Sequence, residues 1–276
     1  MTAIDTQRLK SQVLELRDNF ADPAKFSGTL HDILAFNHNY ALRQSPFITP
    51  RTLLKSYRVP PQVIRQIEMG ILPQIGAQPD QANQLAHHLW QDEYIDVREL
   101  ACFILGSLPG SYNELVRKQI HEWVQPGMDS AALEAVLTKA TLRLRDETPQ
   151  IWEAMVLDWL SHPNIKFQSI GLQAVADVIR DPNFPHVPSL FKLLRPFFLD
   201  HTDPLQPNLD QVVKALADRT PIEALYILKE VLTQVSGPEI EAHMRRYANY
   251  FPQEQQSSLL EAVKAHTRSR TRTFPL

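Results

Sequence analysis

Apolar residues recur at intervals of three and four through most of the chain, and one stretch shows the pattern most clearly. Leu85 and Leu89 close one apolar run, a short acidic turn follows, and a second run starts at Asp96 and continues through Leu100 and Ile104. This spacing places apolar side chains on one side of an α-helix. The carboxylate of the Asp at the turn can accept hydrogen bonds from the free N–H groups of a helix start. The pattern therefore predicts two short helices that pack as a pair.

Similar pairs follow one another, and proline or glycine marks most of the turns between them. Most pairs take about 35 residues, the length of two short helices and two turns in a helical repeat. We therefore predict an all-α fold, a HEAT-like repeat superhelix (α-α solenoid) of stacked antiparallel helix pairs. We expect a single domain over 1–266 and a basic, flexible tail at 267–276. The predicted helices lie at 5–20, 25–45, 51–57, 60–69, 80–92, 94–107, 111–124, 129–145, 149–161, 164–180, 186–199, 205–218, 221–235, 238–250 and 253–266.

Composition limits the possible functions. The chain has 276 residues and a formal net charge of −3, so its total charge does not indicate a nucleic-acid binder, although a basic face can exist within a neutral total. Cys102 is the one cysteine, which excludes an internal disulfide and favours a reducing, cytoplasmic setting. We find no apolar run of signal-peptide or membrane-span character and expect no membrane association.

Standard signatures of enzymes and metal sites are missing. The sequence has no Gly-rich phosphate loop, no Gly-x-Ser-x-Gly and no His-Glu-x-x-His. His87 and His88 are adjacent, so they point to different sides of a helix and are poorly placed to share a metal. We therefore expect no metal and no cofactor. The four tryptophans occupy apolar helix positions and are predicted to pack in the core. They are Trp90, Trp123, Trp152 and Trp159.

Short motifs in a fixed order resemble a known family. Leu89-Trp90-Gln91, with Glu93 and Arg98, is similar to a helix pair of the AlkD-like DNA alkylation repair proteins. Further similar segments lie at 148–151, 159–160, 164–168 and 217–221, with a looser match over 45–54. The resemblance covers roughly 10–235. It implies a curved stack of HEAT-like pairs that binds duplex DNA on a basic concave face. The active members of this family are metal-independent glycosylases that release N3- and N7-alkylated purines, so the resemblance implies this activity as a possibility for the chain.

The resemblance places the family's catalytic segment on 129–134. Its two tryptophans are absent here, and Glu134 stands where the family has its essential Asp. Glu134 is therefore the candidate catalytic carboxylate, which would stabilise an oxocarbenium-like sugar or position water. The alternative is a solvated Glu in the first turns of a helix that Asp129 caps. Gln211 and Ser169 stand where the family has a pocket Trp and an Arg, so we expect weak or no glycosylase activity toward simple methylpurines.

Basic residues supply the candidate DNA contacts. Lys214 keeps a basic position of the family, and Arg143, Arg145 and Lys166 are further candidate phosphate contacts. Acidic residues are interleaved with the basic ones, as on an ordinary solvated surface. Two functions therefore stay open. One is a duplex-DNA-binding protein of alkylation repair. The other is a non-enzymatic protein–protein scaffold whose mixed-charge surface holds a partner helix or tail.

Overall fold

The computed structural model of the chain describes residues 6–38, 52–200 and 203–273. These residues form α-helices joined by short turns, so the predicted all-α class is confirmed. Within the described ranges the only β-type contact is an isolated bridge between Lys55 and Tyr94. The helices are α1 (Thr6–Asp18), α2 (Pro23–Phe36), α3 (Pro61–Ala77), α4 (Pro79–Trp90), α5 (Ile95–Gly106), α6 (Asn113–Trp123), α7 (Ser130–Ala135), α8 (Leu142–Glu147), α9 (Pro149–Leu160), α10 (Ile165–Arg180), α11 (Val187–Leu199), α12 (Gln206–Arg219), α13 (Pro221–Gln234), α14 (Pro238–Ala248) and α15 (Gln253–Thr273).

The short helix predicted over 51–57 is wrong for the part that the structure describes. Residues 52–57 are not helical, and Lys55 instead pairs with the turn before α5. The Lys55 N–H donates to the carbonyl of Glu93 at 3.1 Å, and the Ile95 N–H donates to the Lys55 carbonyl at 2.9 Å. These long-range bonds occupy backbone groups that a helix would pair internally. The motif at 45–51, with Arg51, lies outside the described residues.

The helix predicted over 129–145 is interrupted. It starts after Asp129, as predicted, but a π-helix at Val136–Ala140 separates α7 from α8. In this wide turn the Thr141 N–H donates to the carbonyl of Val136, five residues earlier, at 3.3 Å. The neighbouring helix α5 approaches closely here, since a Cβ on Gly106 would lie 2.0 Å from the Lys139 carbonyl oxygen. The wide turn therefore lies where two helix backbones come into direct contact.

The chain divides into two compact units, Met1–Trp152 and Glu153–Leu276. In the second unit, α10 and α12 lie side by side. Ser169 bonds to Asn208, 39 residues later, and Arg219 bonds to the carbonyl of Ile179, 40 residues earlier. Because the separation is almost equal at both ends, the two helices run in the same direction and in register. Equivalent helices of successive pairs thus stack directly on one another.

In the first unit, side-chain hydrogen bonds with a constant offset connect α4 to α6 and to the turn just before α6. The Tyr112 hydroxyl donates to Asp80 at 2.7 Å, and Gln119 bonds to His87 at 3.2 Å, both across 32 residues. Such a regular offset is consistent with the predicted stack of helix pairs. A single continuous domain over 1–266 stays a prediction.

The core of both units is apolar, and all four tryptophans are at most 7% exposed, which confirms the core positions predicted for them. The C-terminal helix α15 continues to Thr273, past the predicted end at residue 266. The predicted flexibility of 267–276 stays a prediction.

Candidate nucleic-acid interface

The polar side of α10 and α12 forms a surface in the second unit. On α12, four residues at intervals of three and four are exposed, whereas the residues between them are mostly buried. They are Pro207, Gln211, Lys214 and Asp218. On α10, Lys166 and Arg180 are exposed along the corresponding side. We call this surface the α10–α12 face.

Hydrogen bonds hold the two helices of this face together. The Ser169 hydroxyl lies 2.6 Å from the Asn208 amide oxygen, near the start of both helices. At the other end, Arg219 donates to the carbonyls of Ile179 at 3.0 Å and Phe184 at 2.6 Å, and also to that of Asp181. A cation at a helix C-terminus satisfies free carbonyls and complements the helix dipole. Arg219 therefore has a structural role.

Lys166 and Lys214 differ from Arg219, because both side chains are exposed. Among the described residues neither makes an ion pair. The Lys166 backbone N–H bonds to the Asn164 carboxamide at 3.0 Å, which caps α10 and fixes the start of the helix. With the 39-residue offset of the two helices, the Cα atoms of the two lysines lie about 16 Å apart, from the helical rise and the usual axis separation.

Arg180 is engaged within the face. Its guanidinium bonds to the carboxylate of Asp177 at 2.9 Å and to the side-chain oxygen of Gln211 at 2.7 Å. A groove of about 440 Å³ opens beside it, lined by Ile179, Arg180, Pro182, Ala215, Asp218 and Arg219. Gln211, which the resemblance predicts to stand where the family has its pocket Trp, thus bonds to an arginine that lines this groove.

Glu134 lies in the first unit, exposed on α7. Asp129 caps this helix as predicted, since its carboxylate accepts hydrogen bonds from the N–H groups of Ala131 and Ala132 at 3.0 and 3.2 Å. The same carboxylate accepts the Leu53 N–H at 2.8 Å. Partial burial raises the pKa of Asp129, but these hydrogen bonds outweigh burial and lower it overall. Asp129 therefore anchors the helix that carries Glu134.

Arg145 is only 6% exposed, and it donates to the carbonyl of Thr138 in the π-helix at 2.9 Å. Arg143 donates to the carbonyl of Leu108 at 2.7 Å and pairs with Glu147 at 3.0 Å. Both predicted phosphate contacts are thus engaged with neighbouring parts of the chain. Their role in DNA binding stays a prediction.

An ion triad that the sequence analysis missed connects three elements of the first unit. The Lys139 ammonium lies 3.2 Å from Glu68 on α3 and 3.1 Å from Glu99 on α5. Burial lowers the pKa of Lys139, but the two carboxylates outweigh it and raise the pKa overall. The triad carries a net charge of −1, so it repels phosphate. No local motif reveals it, because its members lie 40 and 71 residues apart in sequence.

A second missed cluster fixes residues 52–57. His31 bridges the Tyr57 hydroxyl and the Asp92 carboxylate, both at 2.9 Å. The Tyr57 ring stacks on Tyr94 with centroids 4.3 Å apart. Burial and the neighbouring Tyr94 raise the pKa of Tyr57 to about 12. The phenol therefore stays protonated at neutral pH and can donate to the imidazole.

Within the described residues no group of His, Cys, Asp and Glu is arranged to hold a metal ion. None of the helices in the described ranges is long and apolar enough to cross a membrane.

Comparison of the sequence with family models gives a match. The model of a family described as DNA alkylation repair enzyme matches residues 54–221. No curated protein matches significantly. The matched range includes α3 to α12, covers more than half of the chain, and lies within the stretch of roughly 10–235 over which the motifs were found. The chain therefore belongs to the DNA alkylation repair enzyme family.

Proposed function

We propose that this protein binds duplex DNA in alkylation repair, and that Lys166 and Lys214 on the α10–α12 face contact backbone phosphates. One observation carries the proposal. Two exposed lysines without ion pairs among the described residues lie on two parallel helices that are held in register. A separation of about 16 Å allows them to reach different phosphates, since successive phosphates of one strand rise by about 3.4 Å.

The other predicted contacts support DNA binding less strongly. Arg143 and Arg145 already donate to main-chain carbonyls, and binding a phosphate would require these bonds to break. Lys139 is neutralised by Glu68 and Glu99. The first unit therefore offers less free positive charge beside Glu134 than the second unit offers on the α10–α12 face.

We propose further that base release is weak and that Glu134 is the carboxylate that would support it. An alkylated purine is cationic and a good leaving group, so a carboxylate could stabilise the sugar as positive charge develops. Binding of a cationic base also uses exposed aromatic faces. All four tryptophans of this chain are buried, and Trp90 instead stacks on Trp123 at 4.4 Å. Tryptophan faces are thus not available to hold the base.

Fluorescence anisotropy of a labelled duplex across a salt series tests DNA binding. We expect the double variant Lys166→Ala/Lys214→Ala to bind more weakly and to reduce the salt slope by roughly 0.9 for each lost phosphate contact. Lys118→Ala is a matched control, because Lys118 is also exposed but lies on α6. An unchanged slope in the double variant would refute the assigned contacts, and no binding by wild type at low salt would refute DNA binding.

Base release is tested separately, with a duplex that contains N7-methylguanine. We expect slow release at most, and the same DNA affinity for wild type and Glu134→Gln. If release occurs and Glu134→Gln leaves its rate unchanged, Glu134 is not the catalytic carboxylate. Rapid release by wild type would contradict the proposal of weak catalysis.

The protein-scaffold function remains the second candidate. The triad of Lys139 with Glu68 and Glu99, with its net charge of −1, favours it for the first unit, since such a surface suits a protein partner better than a polyanion. Failure of the wild-type protein to bind DNA in the salt series would leave this alternative, which a pull-down of a specific protein partner would then test.

A further inference from the structure

A groove between α1 and α3 lies in the first unit and has no part in the proposed DNA contacts. It has a volume of about 360 Å³, and Val13, Leu14 and Met69 contribute its apolar surface. Leu14 is 56% exposed and Met69 is 62% exposed. Single exposed apolar residues are common, but two that share a groove form a surface suited to apolar contact with a partner.

The groove is built between two packed helices. The helices cross closely at Gly70, where a Cβ would lie 2.1 Å from a methyl group of Val13. Val13 itself is buried and forms part of the floor. The walls are therefore helical side chains on a fixed crossing, and the groove exists before any partner binds.

Positive charge accompanies the apolar floor. Lys10 and Arg17 line the same groove from α1, and their spacing of two helical turns is about 10 Å along the axis. Among the described residues neither cation makes an ion pair. Other surface cations of the chain do form ion pairs, such as Lys55 with Glu93 at 2.6 Å. Within the described part of the chain, Lys10 and Arg17 are therefore available to form ion pairs with carboxylates of a partner, next to exposed Leu14.

We propose that this groove binds an acidic amphipathic helix of a partner protein. The apolar side of that helix would pack on Leu14 and Met69, and carboxylates two turns apart would pair with Lys10 and Arg17. A methionine side chain adapts readily to different apolar partners. Phosphates of DNA would gain nothing from Leu14 and Met69, and a flat lipid surface would not fill a concave groove. The charge and shape together favour a protein helix.

The test uses the full chain and a labelled synthetic helical peptide with leucines along one side and glutamates two turns apart. A scrambled peptide of the same composition is its control. We expect wild type to bind the designed peptide at least about tenfold more tightly, which corresponds to about 1.4 kcal/mol. Leu14→Asp and the double variant Lys10→Glu/Arg17→Glu should both lose this preference. A peptide with lysines in place of the glutamates should restore binding to the double variant.

Leu115→Asp is the matched control variant, because Leu115 is an exposed leucine on α6, away from the groove. It should bind the designed peptide like wild type, and circular dichroism should show that all variants are folded. Equal binding of both peptides, or undiminished binding by Leu14→Asp, would overturn the proposal. Displacement of the peptide by duplex DNA, or binding to phosphatidylserine vesicles without binding to the peptide, would overturn it in favour of a nucleic acid or a membrane.

Discussion

Substitution of Gly106 by alanine tests the contact that supports the helix of Glu134. Gly106 ends α5 and faces the π-helix Val136–Ala140. An added Cβ would lie 2.0 Å from the carbonyl oxygen of Lys139 and 3.1 Å from the Cα of Ala140. Both atoms belong to the main chain, so no side-chain rotation can relieve the overlap. The two backbones would have to separate by about 1.4 Å to restore an ordinary contact of 3.4 Å from 2.0 Å.

The magnitude follows from two opposing effects. Alanine is favoured over glycine by about 1 kcal/mol in a helix interior, and this is an upper limit at Gly106, the last residue of α5. Overpacking of a rigid contact costs about 1–3 kcal/mol, and a main-chain overlap of this depth belongs at the upper end. Separation of α5 from the π-helix would also lengthen the ion pair between Glu99 and Lys139. We therefore expect a net loss of about 2 kcal/mol in the free energy of unfolding, which would lower Tm by about 4–8 °C.

Thermal unfolding by circular dichroism measures this loss, and Gly28→Ala is the matched control. Gly28 lies inside α2, and nothing lies within 4 Å of the Cβ that alanine would add. The same chemical change should therefore raise Tm at Gly28 and lower it at Gly106. If Gly106→Ala proved as stable as Gly28→Ala, the close contact between α5 and the π-helix would be refuted.

Three further predictions concern individual side chains. Arg145→Ala should lower the free energy of unfolding by about 1–3 kcal/mol, measured in urea, because it removes a hydrogen bond from a charged, buried side chain to the Thr138 carbonyl; an unchanged midpoint would contradict this role. The lowered pKa of Asp129 contributes stability that is present above its unfolded value of about 3.8 and is lost as pH falls through the folded pKa. Unfolding of wild type should therefore depend more steeply on pH below about 4 than that of Asp129→Asn, and equal slopes would count against it. Cys102 is buried, which raises the pKa of its thiol, so a thiol reagent should modify it only after denaturation; labelling of the native protein would disprove its burial.

Helix positions were largely predictable because their signals are local. Prolines at Pro61, Pro79, Pro221 and Pro238 each begin a helix, in agreement with the preference of proline for the first turn. The apolar period then identified the buried side of most helices. The family motifs are also short and local, so their order along the chain indicated the family from the sequence alone.

Long-range contacts account for the parts that were not predicted. Residues 52–57 are not helical, because their backbone groups bond far along the chain, as Leu53 does to Asp129, 76 residues later. The close contact between α5 and the π-helix depends on the absence of a side chain at Gly106, which a periodic pattern does not distinguish from any small residue. Neither contact produces a pattern of residues within one or two helical turns, so neither can be predicted from local sequence.

The pairing of cations distinguishes structural positive charge from the charge that is available for the proposed DNA contacts. Arg145 and Arg219 donate to main-chain carbonyls, and Lys139 is shared between two carboxylates, so each contributes to holding helices together. Lys166 and Lys214 are exposed on the α10–α12 face, and no ion pair to either exists within the described ranges. A net charge of −3 is therefore compatible with DNA binding, because affinity depends on the few cations that are free to release counterions from phosphates. The salt slope measures those cations directly, whereas the total charge of the chain does not.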